Sequence, residues 1–283
     1  MNITYLSAIR ARLGLLASVV LVALSGCSEF QKDIVVPLPE YAAELVVECY
    51  LEDGVRPRLT VTESVSYLSA VTPVVPTDVT VTLTMPNGQQ VRLPFRPGLD
   101  TLREKLHTHI GTAPLVARPG DTFRLEVRDT KGRRVTGTAT VKAPVPIDSI
   151  EYQFNNRPVP DRRAYLTVMF RDPVTPADFY RVLIHKGGSI YKAPQTDRLL
   201  EDPLFNGQVF PVGTGYDFHP GDTITATLYH IDEPYYRFRR SSRDARNANG
   251  NPFAQPSAVF STVQGGIGVF TVLSYTRRRI VLP

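Results

Sequence analysis

The sequence has few cysteines and only one long apolar segment. Cys27 and Cys49 are the two cysteines in 283 residues, so a framework of several disulfides is excluded. The apolar run from Leu13 to Leu24 lies near the N-terminus. Its length of about a dozen residues is short of the roughly 20 that a membrane-spanning helix needs. No later segment is longer or more apolar, so the sequence predicts no transmembrane helix.

Common catalytic motifs are also absent. The chain contains no Gly-x-Ser-x-Gly, His-Glu-x-x-His or Walker sequence. His107 and His109 flank one residue of a possible strand and would share a face, but no third ligand follows at a metal-motif spacing. The carboxylate pairs Glu52-Asp53 and Glu201-Asp202 adjoin turn residues and are interpreted as solvated. We therefore predict a protein that is not an enzyme and that uses no metal or other cofactor.

The charge balance gives no support for nucleic-acid binding. The chain carries 32 basic and 27 acidic residues, a net charge of +5. The N-terminal segment contains Arg10 and Arg12 and no acidic residue, so its removal would leave +3. No basic cluster with interleaved aromatic residues or nucleic-acid motif occurs. We predict no nucleic-acid partner.

The apolar run ends in Leu24-Ser25-Gly26-Cys27, which is typical of a bacterial lipoprotein. Small residues before the cut fit the narrow pocket of a signal peptidase, and the Cys27 thiol is the nucleophile that accepts a diacylglycerol. The competing interpretation is an ordinary signal peptide that happens to contain a cysteine. Because Leu-Ser-Gly-Cys stands at the end of the apolar run, we favour a lipoprotein signal peptide over residues 1–26 and lipidation of Cys27. Several acyl chains on one residue would anchor the protein stably.

Residues 27–43 are predicted to form a lipidated tether, since Pro37 and Pro39 prevent regular pairing. No Asp follows Cys27, so the retention signal of the inner membrane is missing and we expect the outer membrane. The sequence leaves open whether the protein faces the periplasm or the cell surface. Cys49 lies in an apolar strand and is interpreted as a packed thiol, so that no disulfide is expected after acylation of Cys27.

The rest of the chain has the pattern of an all-β protein. The 24 Pro and 19 Gly often separate short β-rich runs. We predict two immunoglobulin-like β-sandwich domains in tandem, at 44–143 and 144–283, joined by the stiff link Ala143-Pro144-Val145-Pro146-Ile147. The predicted strands are 44–51, 57–63, 79–85, 89–95, 121–128, 133–141, 148–155, 163–171, 178–186, 189–193, 207–212 and 222–230, with a last one from Val269 to Tyr275.

A short sequence occurs twice. Pro119-Gly120-Asp121-Thr122 is followed by an alternating strand, and so is Pro220-Gly221-Asp222-Thr223. Pro-Gly makes the turn and the Asp-Thr pair can hydrogen-bond its backbone. Two interpretations stay open: a duplicated module, or a common turn used twice.

One helix is predicted late in the second sandwich, at about 233–247, with Asp232 as its N-cap. Its aromatic face would pack on the sandwich. An alternative is a partner-docking surface that includes Tyr236, Arg237 and Arg240.

Several motifs in a fixed order resemble a family of Bacteroidota outer-membrane lipoproteins that is described only as a domain of unknown function. They are the lipobox, the first strand Leu45–Glu48, the segment Ile147–Ile150, the pair Tyr235 and Tyr236, then Asn251-Pro252-Phe253 and Gly265-Gly266-Ile267-Gly268-Val269-Phe270. Members are often encoded beside TonB-dependent receptors. The resemblance therefore implies a role at such a transporter, and it implies no catalytic residues.

Two functions follow as expectations. The first is an outer-membrane lipoprotein, anchored to lipid through Cys27, that is a non-catalytic accessory or ligand-binding component of a TonB-dependent uptake system. The alternative is a structural or adhesive surface lipoprotein that uses its immunoglobulin-like domains as spacers.

Overall fold

The first strand shows why this sequence forms sheets. In Leu45–Glu52 every second residue is buried, and the residues between them are partly exposed, as expected for a strand with one face on a core. The computed structural model describes residues 42–66, 72–101, 103–174, 177–202, 206–248 and 258–283. Cys27, the tether up to residue 41 and the Asn251-Pro252-Phe253 motif lie outside the described residues.

The described residues form sixteen strands and one helix. In chain order they are β1 Leu45–Glu52, β2 Arg58–Glu63, β3 Thr80–Thr84, β4 Gln90–Leu93, β5 Phe95–Asp100, β6 Lys105–Ile110, β7 Thr122–Arg128, β8 Arg134–Thr140, β9 Ile147–Phe154, β10 Ala164–Arg171, β11 Phe179–Lys186, β12 Thr196–Glu201, β13 Val209–Gly213, β14 Thr223–Ile231, α1 Glu233–Ala248, β15 Val263–Gln264 and β16 Ile267–Val281. The predicted all-β class with one helix is confirmed.

Three sheets contain these strands. The largest has the order β12-β11-β14-β16-β1-β2-β6-β5, the second β15-β8-β7-β3-β4, and the smallest β13-β10-β9. All neighbouring strands are antiparallel except β1 and β16, which are parallel. The residues from 43 to 283 form one compact unit.

The long strand β16 joins the two halves of the chain. Its residues Ile267–Leu273 pair with Val46–Glu52 of β1, and Ser274–Val281 pair with Thr223–His230 of β14. Strands from both predicted domains therefore belong to one continuous sheet. This arrangement differs from two self-contained sandwiches in tandem, because the last strand completes both halves.

Two large cores lie on the inner side of this sheet. The first includes Phe123 and Phe270 and lies against the five-stranded sheet. The second includes Phe170 and Phe218 and lies against the three-stranded sheet. The proline-bearing link connects the two cores. Val141 before it belongs to the first core, and Val145 within it belongs to the second. Cys49 is a free buried thiol in the first core, and this burial raises the pKa of the thiol.

Glycines allow the chain to cross between sheets just before β16. Strand β15 pairs with β8 in the five-stranded sheet, and two residues later β16 starts in the eight-stranded sheet. A Cβ on Gly265, Gly266 or Gly268 would overlap a backbone carbonyl oxygen of β8 or β1, and Gly268 has a φ of 132°. The glycines therefore allow the backbones to approach closely at this crossover, and Phe270 anchors it in the first core.

The two Pro-Gly-Asp-Thr turns have the same structure. Asp121 accepts a hydrogen bond from the Arg118 N–H at 2.8 Å, and Asp222 accepts one from the His219 N–H at 2.6 Å. The two glycines have φ values of 90° and 81°. Their N–H groups donate to Val141 after β8 and to Leu282 after β16, each at 2.9 Å. The predicted strand after each turn is confirmed, and β7–β8 corresponds to β14–β16.

Helix α1 is inserted between the corresponding strands β14 and β16. Its N-terminus is capped by Asp232, whose carboxylate accepts a hydrogen bond from the Tyr235 N–H at 3.0 Å, as predicted. Tyr235 and Tyr236 are buried in a third, smaller core on the outer face of the eight-stranded sheet, with Ile231 and Val269. No helix among the described residues has the length and apolar character to cross a membrane.

Candidate functional site

A cavity of about 310 Å³ opens on the outer face of the eight-stranded sheet, where the two halves meet. It lies between β1, β2 and β6 on one side and α1 and the β11–β12 loop on the other. Its lining includes Glu48, Tyr50, Glu52, Val55, Arg56, Arg58, Thr60, Asp100, Arg103, Lys105, Leu106, His107, Arg181, Ile190, Tyr191, Tyr235, Arg239 and Leu273.

The floor of the cavity comes from the outward positions of β1. Because side chains alternate along a strand, the buried Val47, Cys49 and Leu51 place Glu48, Tyr50 and Glu52 on the opposite face. Glu52 was predicted to be solvated in a loop. It lies instead at the end of β1, and its carboxylate is 3.5 Å from the Arg103 guanidinium.

One carboxylate holds two guanidinium groups at the rim. Oδ2 of Asp100 lies 2.5 Å from Nη1 of Arg58 and 3.1 Å from Nη1 of Arg103. Burial alone would raise the pKa of Asp100, but the backbone N–H of Arg103 and the two guanidinium groups outweigh it and lower that pKa. Burial also works against the charge of Arg103, yet Glu52 and Asp100 raise its pKa. Both groups are therefore fully ionised at neutral pH.

A lysine covers the tyrosine of the floor. Lys105 Nζ lies 2.5 Å from a carboxylate oxygen of Glu48 and 4.7 Å from the centre of the Tyr50 ring. The Tyr50 ring meets that of Tyr235 edge to face at 6.0 Å. Burial raises the pKa of Tyr50 far above its ordinary value, so its hydroxyl stays protonated.

The second half of the chain supplies the opposite wall. The ring of Tyr191, in the β11–β12 loop, lies 5.3 Å from the Arg103 guanidinium, a distance at which cation–π attraction acts. Behind it, Asp197 pairs with Arg181 at 2.7 Å and with Arg239 of α1 at 3.1 Å. Burial of Asp197 opposes its ionisation, but Arg181 and Arg239 outweigh burial and lower its pKa.

The backbone pairing between β6 and β2 ends next to the cavity, after Leu59 pairs with His109. Between Leu59 and Val61, the Thr108 hydroxyl replaces the backbone as hydrogen-bond partner: it accepts from the Val61 N–H at 2.9 Å and donates to the Leu59 carbonyl at 3.2 Å. His107 lines the cavity. Its pKa is lowered, mainly by burial and to a smaller extent by the nearby positive charge of Arg58, so that the ring is neutral at neutral pH. His109 is buried against Phe95 and the Thr108 hydroxyl.

A group of carboxylates with metal-ligand potential occurs elsewhere. Oxygens of Asp172, Asp178 and Asp202 lie within 4.8 Å of one another, and all three residues are buried. Asp172 accepts a hydrogen bond from the Tyr180 hydroxyl. Asp178 is 3.0 Å from His230 Nε2 and 3.6 Å from Lys142 Nζ. The interpretation of Asp202 as solvated was wrong. Asp202 directly follows the end of β12 and is buried beside Tyr180.

The site residues predicted from sequence lie in several places. Cys27 and Asn251-Pro252-Phe253 are outside the described residues, and Gly265, Gly266, Gly268 and Phe270 serve the crossover.

On α1 the predicted docking residues point in two directions. Arg237 and Arg240 are exposed, whereas Tyr236 is 8% exposed and packs on Phe179 with ring centres 4.9 Å apart. Arg237 also lies 4.2 Å from the Phe260 ring. Arg237 and Arg240 therefore contribute to the exposed surface of the helix, and Tyr236 belongs to the core beneath it.

Sequence reasoning missed the cavity. Its cationic residues come from the β1–β2 connection, β2, the β5–β6 connection, β6, β11 and α1, and nothing in their spacing links them. One signal in the sequence could have indicated the cavity. The outward positions of β1 carry a tyrosine between two glutamates, and a large aromatic residue on that face indicates that it is partly covered.

The geometry defines a β-sheet protein with a lateral cavity shared by its two halves. A family model described as a domain of unknown function, DUF4249, matches residues 31–279, and the chain belongs to this family. A search of curated proteins found no relative.

Two solved structures show weak likeness to this chain. A cytokine receptor complex is 12% identical with a TM-score of 0.26, covering 83% of this chain and 94% of that one. A pullulanase complexed with maltotriose, from Anoxybacillus sp. LM18-11, is 14% identical with a TM-score of 0.20, covering 67% of this chain and 25% of that one. With these scores, neither structure informs the fold or the function of this chain.

Proposed function

We propose that this protein is an outer-membrane lipoprotein that acts as a non-catalytic, ligand-binding accessory of a TonB-dependent uptake system. The cavity at the junction of the two halves carries the ligand-binding part of this proposal. It combines aromatic faces with polar groups that ion pairs fix in place, and polar groups placed in this way orient the ligand in small-molecule sites.

The membrane part rests on the Leu-Ser-Gly-Cys sequence, and the receptor part on the family resemblance. In this proposal Cys27 carries the acyl chains and residues 28–43 form the tether. The first strand of the folded part, β1, begins at Leu45. The arginine face of α1 is the proposed contact with the receptor, since Arg237 and Arg240 are exposed there.

Metabolic labelling with a palmitate analogue tests the anchor. The full chain is expressed in a Bacteroidota host as wild type, Cys27→Ser and Cys49→Ser. We expect label in the wild type and in Cys49→Ser, and none in Cys27→Ser, because Cys49 is a buried core thiol. Label that persists in Cys27→Ser, or outer-membrane fractionation that is unchanged in that variant, would contradict the anchor.

Affinity capture from solubilised outer membranes tests the receptor. We expect a TonB-dependent receptor with the wild type, and a clear loss of it with Arg237→Glu/Arg240→Glu. Arg124→Glu, at an exposed position of β7, is a charge-reversal control away from α1, to be compared with each of Arg237→Glu and Arg240→Glu alone, and should capture as much receptor as the wild type. Capture of no receptor by the wild type, with a deletion strain that loses surface attachment but keeps uptake, would favour the structural or adhesive alternative.

A further inference from the structure

The charge of the cavity goes beyond what ligand binding in general requires. Its lining contains six cationic side chains and three carboxylates. The cations are Arg56, Arg58, Arg103, Lys105, Arg181 and Arg239, and the anions are Glu48, Glu52 and Asp100. Asp197, behind the lining, pairs with two of the cations and reduces the excess without removing it. With Asp197 counted, six cationic groups face four carboxylates, a formal excess of two positive charges.

The cations of the first half are arranged so that they share their counterions. Asp100 serves both Arg58 and Arg103, and Glu52 lies 3.5 Å from Arg103, so that carboxylates hold both guanidinium groups in place. The Lys105 ammonium is held by Glu48 above the Tyr50 ring, although more than half of its side chain is exposed. These three groups are fixed before any ligand arrives, which lowers the entropy cost of binding.

The shape of the cavity limits the size of the ligand. A volume of about 310 Å³ is at the lower end of the range for small-molecule sites. Tyr191 is 41% exposed, and its ring is part of the wall. The cavity therefore suits one small molecule with a ring rather than a folded partner.

We propose that the cavity binds a small, ring-bearing anion, and that Arg58, Arg103 and Lys105 hold its carboxylate or phosphate group. Guanidinium groups bind both acids through paired N–H donors. The proposal names the ligand class for the binding role given above and rests on it. Because the three groups are arginine and lysine, the binding should weaken as salt rises and screens their charges.

Calorimetric titration of the purified lipid-free chain tests this proposal with matched probes. The pairs are galacturonate against galactose, and glucose 6-phosphate against glucose, since each pair shares a ring and differs in its acid group. We expect at least one acidic probe to bind and its neutral counterpart to bind about tenfold more weakly or worse. The preferred pair shows whether the site takes carboxylate or phosphate.

Variants locate the binding in the cavity. Arg103→Gln should weaken the bound acid about tenfold or more, and Arg103→Lys less, because the lysine keeps the charge. Arg124→Gln removes an exposed arginine that lines no part of this cavity and should bind as the wild type does. Circular dichroism of each variant confirms that it is folded, so a loss of binding is not a loss of structure.

Three results would overturn the proposal. They are equal binding of neutral and acidic probes, unchanged binding in folded Arg103→Gln, and no binding of either acid at about 10 mM, roughly ten-thousandfold above a micromolar dissociation constant. The receptor capture described above does not depend on these probes. If receptor capture succeeds and acid binding fails, the ligand class is wrong and the accessory role stands. If receptor capture fails and acids bind, the ligand class stands and the accessory role is wrong.

Discussion

The two halves of the chain start their last strand pair with the same turn but complete the pair differently. In the first half, β7 and β8 are joined by a short turn at Lys131-Gly132. In the second half, the corresponding β14 and β16 are separated by α1, the crossover strand β15 and the glycine segment. The additional segment brings Tyr235 and Arg239 to the cavity. The segment between β14 and β16 is therefore the difference between the halves that contributes to the candidate site.

The largest effect is expected at the glycine crossover. Gly268→Ala would place a methyl group on the Val47 carbonyl oxygen at a φ of 132°, and β16 would have to move away from β1. We expect a loss of more than about 4 kcal/mol, seen as loss of the folded state in urea titration. Gly132→Ala, at the short turn of the first half, has a φ of 88° and open space around it.

Gly132→Ala separates the backbone strain of a positive φ from the steric overlap that Gly268→Ala adds. Gly132→Ala should cost only about 1–2 kcal/mol, the penalty for an alanine in left-handed backbone. Similar losses in the two variants would mean that the crossover is not the constraint described here.

The shared strand predicts that the two cores unfold together. Phe123 lies in the first core and Phe218 in the second, and both are completely buried. Phe123→Ala and Phe218→Ala should each cost about 3–5 kcal/mol and should shift one common transition. Fluorescence and circular dichroism in urea would check this, and two separate transitions would show that the halves are independent.

A smaller effect should distinguish the two equivalent turns. Asp222 pairs with Lys186 at 2.8 Å, and Asp121 has no such lysine partner among the described residues. We expect Asp222→Asn to cost about 1–2 kcal/mol and Asp121→Asn about 0.5–1 kcal/mol, in line with charged and ordinary hydrogen bonds. Equal losses in urea titration at pH 7 would remove the distinction.

The smallest effect is the pH dependence of that difference. Burial of Asp222 by itself raises its pKa, but the His219 N–H and Lys186 outweigh burial and lower it. The stabilisation is therefore present above the ordinary carboxyl pKa and is lost as the pH falls through the lowered value. The gap between wild type and Asp222→Asn should shrink from pH 7 to about pH 2, and a constant gap would contradict the ionic origin.

Local patterns predicted much of the fold. The Pro and Gly residues between β-rich runs, the two Pro-Gly-Asp-Thr turns and the Asp232 cap predicted many of the observed strands and the helix. These signals are carried by residues that are near each other in sequence. Such residues determine the backbone conformation of a segment but not its distant neighbours.

The cavity wall was harder to predict because its strands have irregular patterns. Strand β5 contains Pro97 and Gly98 and a register shift, and β12 is an edge strand with a polar sequence. The segment 189–193 was predicted as a strand; among its residues, Ile190 and Tyr191 lie in a loop that lines the cavity.

The pairing of β1 with β16 could not be read from either strand alone. Nothing in the sequence of β1 indicates whether its second neighbour is close or distant along the chain. The charged cluster of the cavity has the same origin, since it combines residues from β1 to α1.

The position of β16 also has a consequence for the time course of folding. Strand β1 can pair with β2 early, but its other edge stays open until a strand more than two hundred residues later has been made. During that interval the first core lacks Phe270 and the second lacks Leu282. Folding is therefore expected to be slow and to finish late, and the open edge of β1 is the place where a nascent chain is most exposed to wrong pairing.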